Sequence, residues 1–109
     1  MPGGTMRPKH RSQMELLHFA ARDGELDLVR SVLDSGGDVN EPAENNWTPL
    51  HFAAEAGHVF VVEFLLDRGA DSGATTSEGY TPLDVAAVYD RSGVVELLQR
   101  HGTPRRRKR

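Results

Sequence analysis

LHFAARDG at 17–24, LHFAAEAG at 50–57 and LDVAAVYD at 83–90 stand 33 residues apart. Behind them VRSVLDSGGD, VEFLLDRGAD and VELLQRHG keep the same register, with Gly36, Gly69 and Gly102 one period apart. The second and third units also share Thr48-Pro49-Leu50 and Thr81-Pro82-Leu83. A fixed period of this length signals a stack of supersecondary units, each too small to bury its apolar face alone.

Within a unit, the residue types specify two helices. Thr48 and Thr81 suit the N-cap, and Pro49 and Pro82 suit the first helical position, where no N–H donor is needed. Thr81-Pro82-Leu83-Asp84 also fits a capping box, although Asp is shorter than the preferred Glu. The pairs Ala20-Ala21, Ala53-Ala54 and Ala86-Ala87 keep one side of each first helix thin enough for close approach of another. Gly57 fits the left-handed position that ends a helix. A second helix, carrying Val59, Val61, Val62, Phe64, Leu65 and Leu66, then runs to Gly69. GGDVNEPAENN and GADSGATTSEG read as β-turn or short hairpin loops. The spacing predicts helices over about 14–22, 26–35, 48–56, 59–68, 81–89 and 93–100.

Period, motif and glycine register together resemble the ankyrin repeat over most of the chain. The resemblance implies an all-α ankyrin-repeat α-solenoid, three stacked helix-turn-helix units joined by short β-hairpin-like loops. The repeats fall at about 13–42, 46–75 and 79–102 within a domain at 13–102, between a flexible basic segment at 1–12 and a basic tail at 103–109. Glu15-Leu16 replaces Thr-Pro in the first unit, Arg30-Ser31 stands where the second has Glu63-Phe64, and Gln99 replaces Leu66 in the last. These changes suit end caps, and the expectation is a complete, minimal solenoid. Asp90 takes the place of Gly24 and Gly57, and Ser72-Gly73 that of Val39-Asn40, which marks the third unit as the most weakly held.

Charge is segregated. The net charge is −3, but all 16 acidic residues lie between Glu15 and Glu96. Residues 13–104 hold five basic residues against those sixteen, net −11, flanked by +3 and +5 at the ends. Leu, Val and Phe total 25 residues, all between Leu16 and Leu98, so the core is confined there. With no Cys, disulfide frameworks, thiol nucleophiles and Cys-containing metal sites are excluded. No apolar run approaches the roughly 20 residues of a membrane-spanning helix, and the N-terminus lacks the apolar stretch of a secretory signal. A monomer in the cytoplasm, the nucleus or both is expected.

Catalytic and cofactor signatures are missing. His10, His18, His51, His58 and His101 form no HExxH or similar spacing, so no metal is expected. His18 and His51 share one repeat position, taken by Asp84 in the third unit, and the resemblance implies that this His bonds within and between loops. No nucleophile elbow, phosphate loop or dinucleotide fingerprint appears. Carboxylate pairs such as Asp23 with Glu25 are inevitable among 16 acids. The chain is expected not to be an enzyme and to need no cofactor.

Recognition is the use that the resemblance implies, through a concave face built from loop tips and the exposed side of the first helices. Carried over to this sequence, that face holds Arg22, Asp23, Glu44, Asn45, Trp47, Glu55, Ala56, Ser77, Glu78, Tyr80, Val88 and Tyr89. Trp47 and Tyr80, one repeat apart, are expected to be exposed and to stack on one rim. The expected function is that of a small adaptor or inhibitor binding a partner with a basic surface. The alternative is a nucleic-acid- or anionic-membrane-associated factor using its basic termini, and Arg105, Arg106, Arg107, Lys108 and Arg109 resemble a short nuclear-localisation signal. Lacking interleaved aromatics, that tail would hold nucleic acid only non-specifically.

Overall fold

Thr48 and Thr81 begin helices through reciprocal hydrogen bonds. The Thr48 hydroxyl accepts from the His51 backbone N–H, and Thr48 N–H donates to His51 Nδ1 at 3.1 Å. Thr81 and Asp84 do the same, with the Asp84 carboxylate accepting Thr81 N–H at 3.1 Å. In the computed structural model, which describes residues 9–102, the helices are α1 Lys9–Asp23, α2 Leu26–Asp34, α3 Pro49–Ala56, α4 Val59–Asp67, α5 Pro82–Val88 and α6 Ser92–Gly102. The described residues contain no strand. This is the all-α solenoid that the period predicts.

One boundary departs from expectation. Helix α1 starts at Lys9 rather than near 14, so residues 9–12, expected in a flexible segment, have helical backbone. After Pro8 the chain meets no Pro or Gly until Gly24, and it carries good helix formers. The loops reverse tightly without forming strands. Ala43 N–H donates to the Trp47 carbonyl at 2.7 Å, and Thr76 N–H to the Tyr80 carbonyl at 2.9 Å.

The helices form two layers. Helices α1, α3 and α5 pack side by side, and α2, α4 and α6 line up behind them. The Ala positions allow the first layer to close: Ala20, Ala21, Ala53, Ala54 and Ala86 are all buried, as are Leu17 and Leu50. Val29, Val62, Leu65 and Val94 complete the core between the layers.

Polar bonds fix each repeat on the next. His58 Nε2 donates to the Arg22 carbonyl at 2.9 Å, and Arg91 Nε to the Glu55 carbonyl at 2.8 Å. The first of these contacts explains Gly24, which has φ +77° and where a Cβ would lie 2.8 Å from the His58 ring. Asp90, its counterpart in the third unit, accepts the same left-handed backbone at φ 59°, a strain that Gly would not feel. Asn40 spans the first two units, accepting from Asp71 N–H at 2.7 Å and donating to the Gly69 carbonyl at 3.3 Å. Its third-unit counterpart, Gly73, has no side chain to do this. Arg68 pairs with Asp34 at 2.8 Å.

His51 is the buried polar centre of the second unit. Because Nδ1 accepts from Thr48 N–H, the proton sits on Nε2, which donates to the Tyr80 carbonyl at 2.9 Å. Burial pushes this imidazole below its ordinary value, and the carbonyl bond only partly opposes the shift. His18 Nε2 also donates to the loop that follows its helix pair, at the Glu41 carbonyl 2.7 Å away rather than at Trp47, the counterpart of Tyr80. A bond to a neighbouring loop is what the resemblance implies.

Two stability outcomes are expected. Leu50→Ala, a large-to-small change at a fully buried site, should cost about 2–5 kcal/mol. Its denaturant unfolding should stay a single, earlier transition, because each unit is covered only by its neighbours; melting like wild type would show that the register is misread. The second concerns His51, whose neutral form is favoured by folding. Its contribution is complete above the unfolded value of about 6.5 and declines as pH falls from there through the lower folded value. Thermal melts should therefore show wild type losing stability between about pH 7 and 5.5. His51→Asn, less stable throughout, should lose less over that interval.

Candidate protein-binding face

The exposed side of α1 and α3 carries an aromatic cleft. Phe19, 53 % exposed, and half-buried Phe52 occupy the same position in successive repeats. The Arg22 guanidinium lies 5.6 Å from the Phe19 ring centre and 5.7 Å from that of Phe52. With His18 and Ala43, these three residues line a cavity of ≈ 170 Å³. His18 meets Phe52 edge-on, ring centres 5.6 Å apart.

Trp47 differs from the expectation. It is half-buried, its ring 5.1 Å from Phe52 and 5.6 Å from His51. Among the described residues, no ring contact joins it to Tyr80. The cause is local. Trp47 precedes the N-cap Thr48, and Phe52 is the fourth residue of α3, so the two form a hydrophobic staple that fixes how the chain enters the helix. Tyr80 holds the same place before Thr81, but its partner position is the smaller Val85, and Tyr80 remains 44 % exposed.

The loop tips are tied together. Glu44–Asn46 form one 3₁₀ turn, with Asn45 and Asn46 at φ 59° and 60°. The Asn45 carbonyl accepts from Ser77 N–H at 2.8 Å, linking adjacent loops. Buried Thr76 organises the second tip, its hydroxyl accepting from Glu78 N–H and Tyr80 N–H at 3.2 Å each. Glu44, Asn45, Ser77 and Glu78 are exposed on these tips; Asp23 is exposed and Glu55 half-buried along the helices. Val88 and Tyr89, 70 % and 46 % exposed, lie at the far end of α5. Of the expected residues, Arg22 lines the cleft and Trp47 packs on its Phe52, whereas Tyr89 directly follows the last residue of α5. Arg105, Arg106, Arg107, Lys108 and Arg109 lie outside the described residues.

Phe19 and Phe52 were not among the expected face residues. The signal was present, because Phe19 stands three residues before Arg22 and Phe52 three before Glu55, a spacing that shares one helix face. Thr76 was missed as well, since turn-forming hydroxyls leave no periodic mark. A second apolar hollow of ≈ 430 Å³ lies at the helix turns, lined by Gly24, Leu26, Gly57, His58, Val59, Phe60 and Val61. Among the described residues, no group of three or more His, Asp or Glu is placed to hold a metal ion, and no helix is long and apolar enough to cross a membrane.

A search among curated proteins gave no match. A family model described as ankyrin repeats, in three copies, matches residues 17–107. Ankyrin repeats are in general protein–protein interaction modules that bind other proteins. With three units in register, two helix layers and a model match across most of its length, the chain belongs to the ankyrin-repeat family.

Proposed function

We propose that this protein is a small non-enzymatic adaptor or inhibitor that acts as a monomer and holds a basic segment of a partner protein on its concave face. The observation that carries this reading is the Phe19–Arg22–Phe52 cleft, an exposed apolar seat within a body of net charge −11. An aliphatic or aromatic side chain of the partner fills the cleft, where buried aromatic area provides affinity. Arg22 offers its donors to a partner carbonyl. Asp23, Glu44, Glu55 and Glu78 steer basic groups towards the seat, which raises association rate more than affinity.

The test begins with partners captured on full-length protein and on a chain ending at Gly102, followed by surface-immobilised kinetics. Phe19→Ala removes an exposed ring and should leave the melt unchanged while weakening binding by about 2 kcal/mol or more, mostly through faster dissociation. Trp47→Ala should weaken both binding and folding, because the staple is lost. Glu78→Lys should slow association, and less so at high salt. Unchanged kinetics for Phe19→Ala would remove the cleft from the interface.

The charge segregation favours a second reading, in which the basic tail carries the affinity for an anionic polymer or membrane. Binding would then vanish in the chain ending at Gly102 and fall steeply between about 50 and 200 mM salt. The same five residues are proposed as a nuclear-import signal. Fused to a reporter too large to diffuse through nuclear pores, the full chain should concentrate in the nucleus and the truncated chain should not; equal distribution of the two would remove that role.

A further inference from the structure

Arginine rests on phenylalanine in two places among the described residues, and the two are completed differently. On the second layer, Arg30 and Arg68 lie 5.7 Å and 5.2 Å from the centre of the Phe64 ring. Each also has a carboxylate, Asp27 at 3.6 Å from Arg30 and Asp34 at 2.8 Å from Arg68. At the cleft, Arg22 lies by the rings of Phe19 and Phe52. Among the described residues its guanidinium has neither a hydrogen bond nor an ion pair.

The group that completes the other stacks is absent here, and the setting says how it arrives. A guanidinium resting on a ring still presents its edge N–H groups, which match the two oxygens of a carboxylate. Arg22 is also part of the wall of the ≈ 170 Å³ hollow, with His18, Phe19, Ala43 and Phe52. An apolar space of about 150 Å³ takes one benzene-sized group. A ligand that satisfies both features brings an apolar group and a carboxylate on one residue. Asp and Glu spend their side chain on the carboxylate, and in an extended chain an apolar neighbour points to the opposite side. The last residue of a chain has both, because its α-carboxylate and its side chain share one Cα.

Charge sets what precedes that residue. Arg22 is the one cation of the expected face, against Asp23, Glu44, Glu55 and Glu78, in a body of net −11. A bare carboxylate is repelled by such a body, and basic residues before it reverse the sign.

We propose that the cleft binds the C-terminus of a partner protein: the α-carboxylate pairs with Arg22, an apolar last side chain fills the hollow, and basic residues precede it. This rests on the Phe19–Arg22–Phe52 reading above and names the part of the partner chain that the cleft holds. The partner oxygens that meet Arg22 are then those of the chain end.

The probes are short labelled peptides of alternating Lys and Ser ending in Leu, Val or Phe, each made as the free acid and as the C-terminal amide. Anisotropy against the full-length protein should show the best free acid binding about tenfold or more tighter than its amide. General attraction cannot give that order, because the amide carries the greater positive charge towards an acidic body. Arg22→Gln, at an exposed position, should keep the wild-type melt and leave the amide no weaker while removing the acid's advantage. Arg22→Lys keeps the charge but not the paired donors, and should retain only part of that advantage. Phe19→Ala should weaken acid and amide alike. Acid and amide that bind equally, both weakened by Phe19→Ala, would overturn the proposal and leave the cleft reading in place. Bound peptides indifferent to Phe19→Ala would remove the cleft itself. An advantage of the acid that survives Arg22→Gln, or no binding up to about 1 mM, would also overturn the proposal. So would an amide with Glu before its last residue that matches the free acid, since the carboxylate would then come from an internal side chain. N-acetyl-leucine competing as strongly as the peptides would assign the cleft to a small carboxylic acid and overturn it equally.

Discussion

Everything in this fold depends on the close approach of α1, α3 and α5 across alanine. A methyl at positions 20, 21, 53, 54 and 86 sets the spacing of the first layer, and that spacing brings His58 within reach of Arg22 and Arg91 within reach of Glu55. A larger side chain at any of these sites would force the helices apart, with a strain of about 1–3 kcal/mol. It would also lengthen the bonds that cap the helix ends. Dispersion, burial and polar register are therefore not independent contributions here. The first fixes the geometry in which the others act.

The same spacing shapes the candidate binding face. Because the repeats are parallel and close, residues one period apart become neighbours, and Phe19 and Phe52 converge on Arg22. The cation sits by both rings in a body of net negative charge, and among the described residues its guanidinium makes no hydrogen bond. The loops contribute rigidity more than area. Thr76 and the Ser77–Asn45 bond hold the tips in one arrangement, so less ordering remains to be done when a partner arrives.

Much of this was legible in the residues. Thr-Pro, the alanine pairs and the glycine register specify helix starts, contacts and stops through local chemistry, and the helices fall within a residue or two of expectation except at Lys9. That start was missed because nothing periodic precedes Leu16, and propensity alone extends the helix. The face was less legible. An aromatic residue before an N-cap reads equally as a partner contact or as a staple, and only the size of the residue five positions on decides. Phe52 draws Trp47 inward, whereas Val85 leaves Tyr80 out. The pairing of Arg22, an expected face residue, with Phe19 and Phe52 was likewise hidden, because the two rings come from different repeats.

The bonds that tie repeat to repeat also bear on how the chain reaches this state. Each joins residues between 23 and 36 positions apart, so no contact among them waits for distant parts of the chain to meet. Contacts limited to adjacent repeats let order start in one unit and spread to the next, and the middle unit, with His51 and Asn45 bonding forward, has a neighbour on each side.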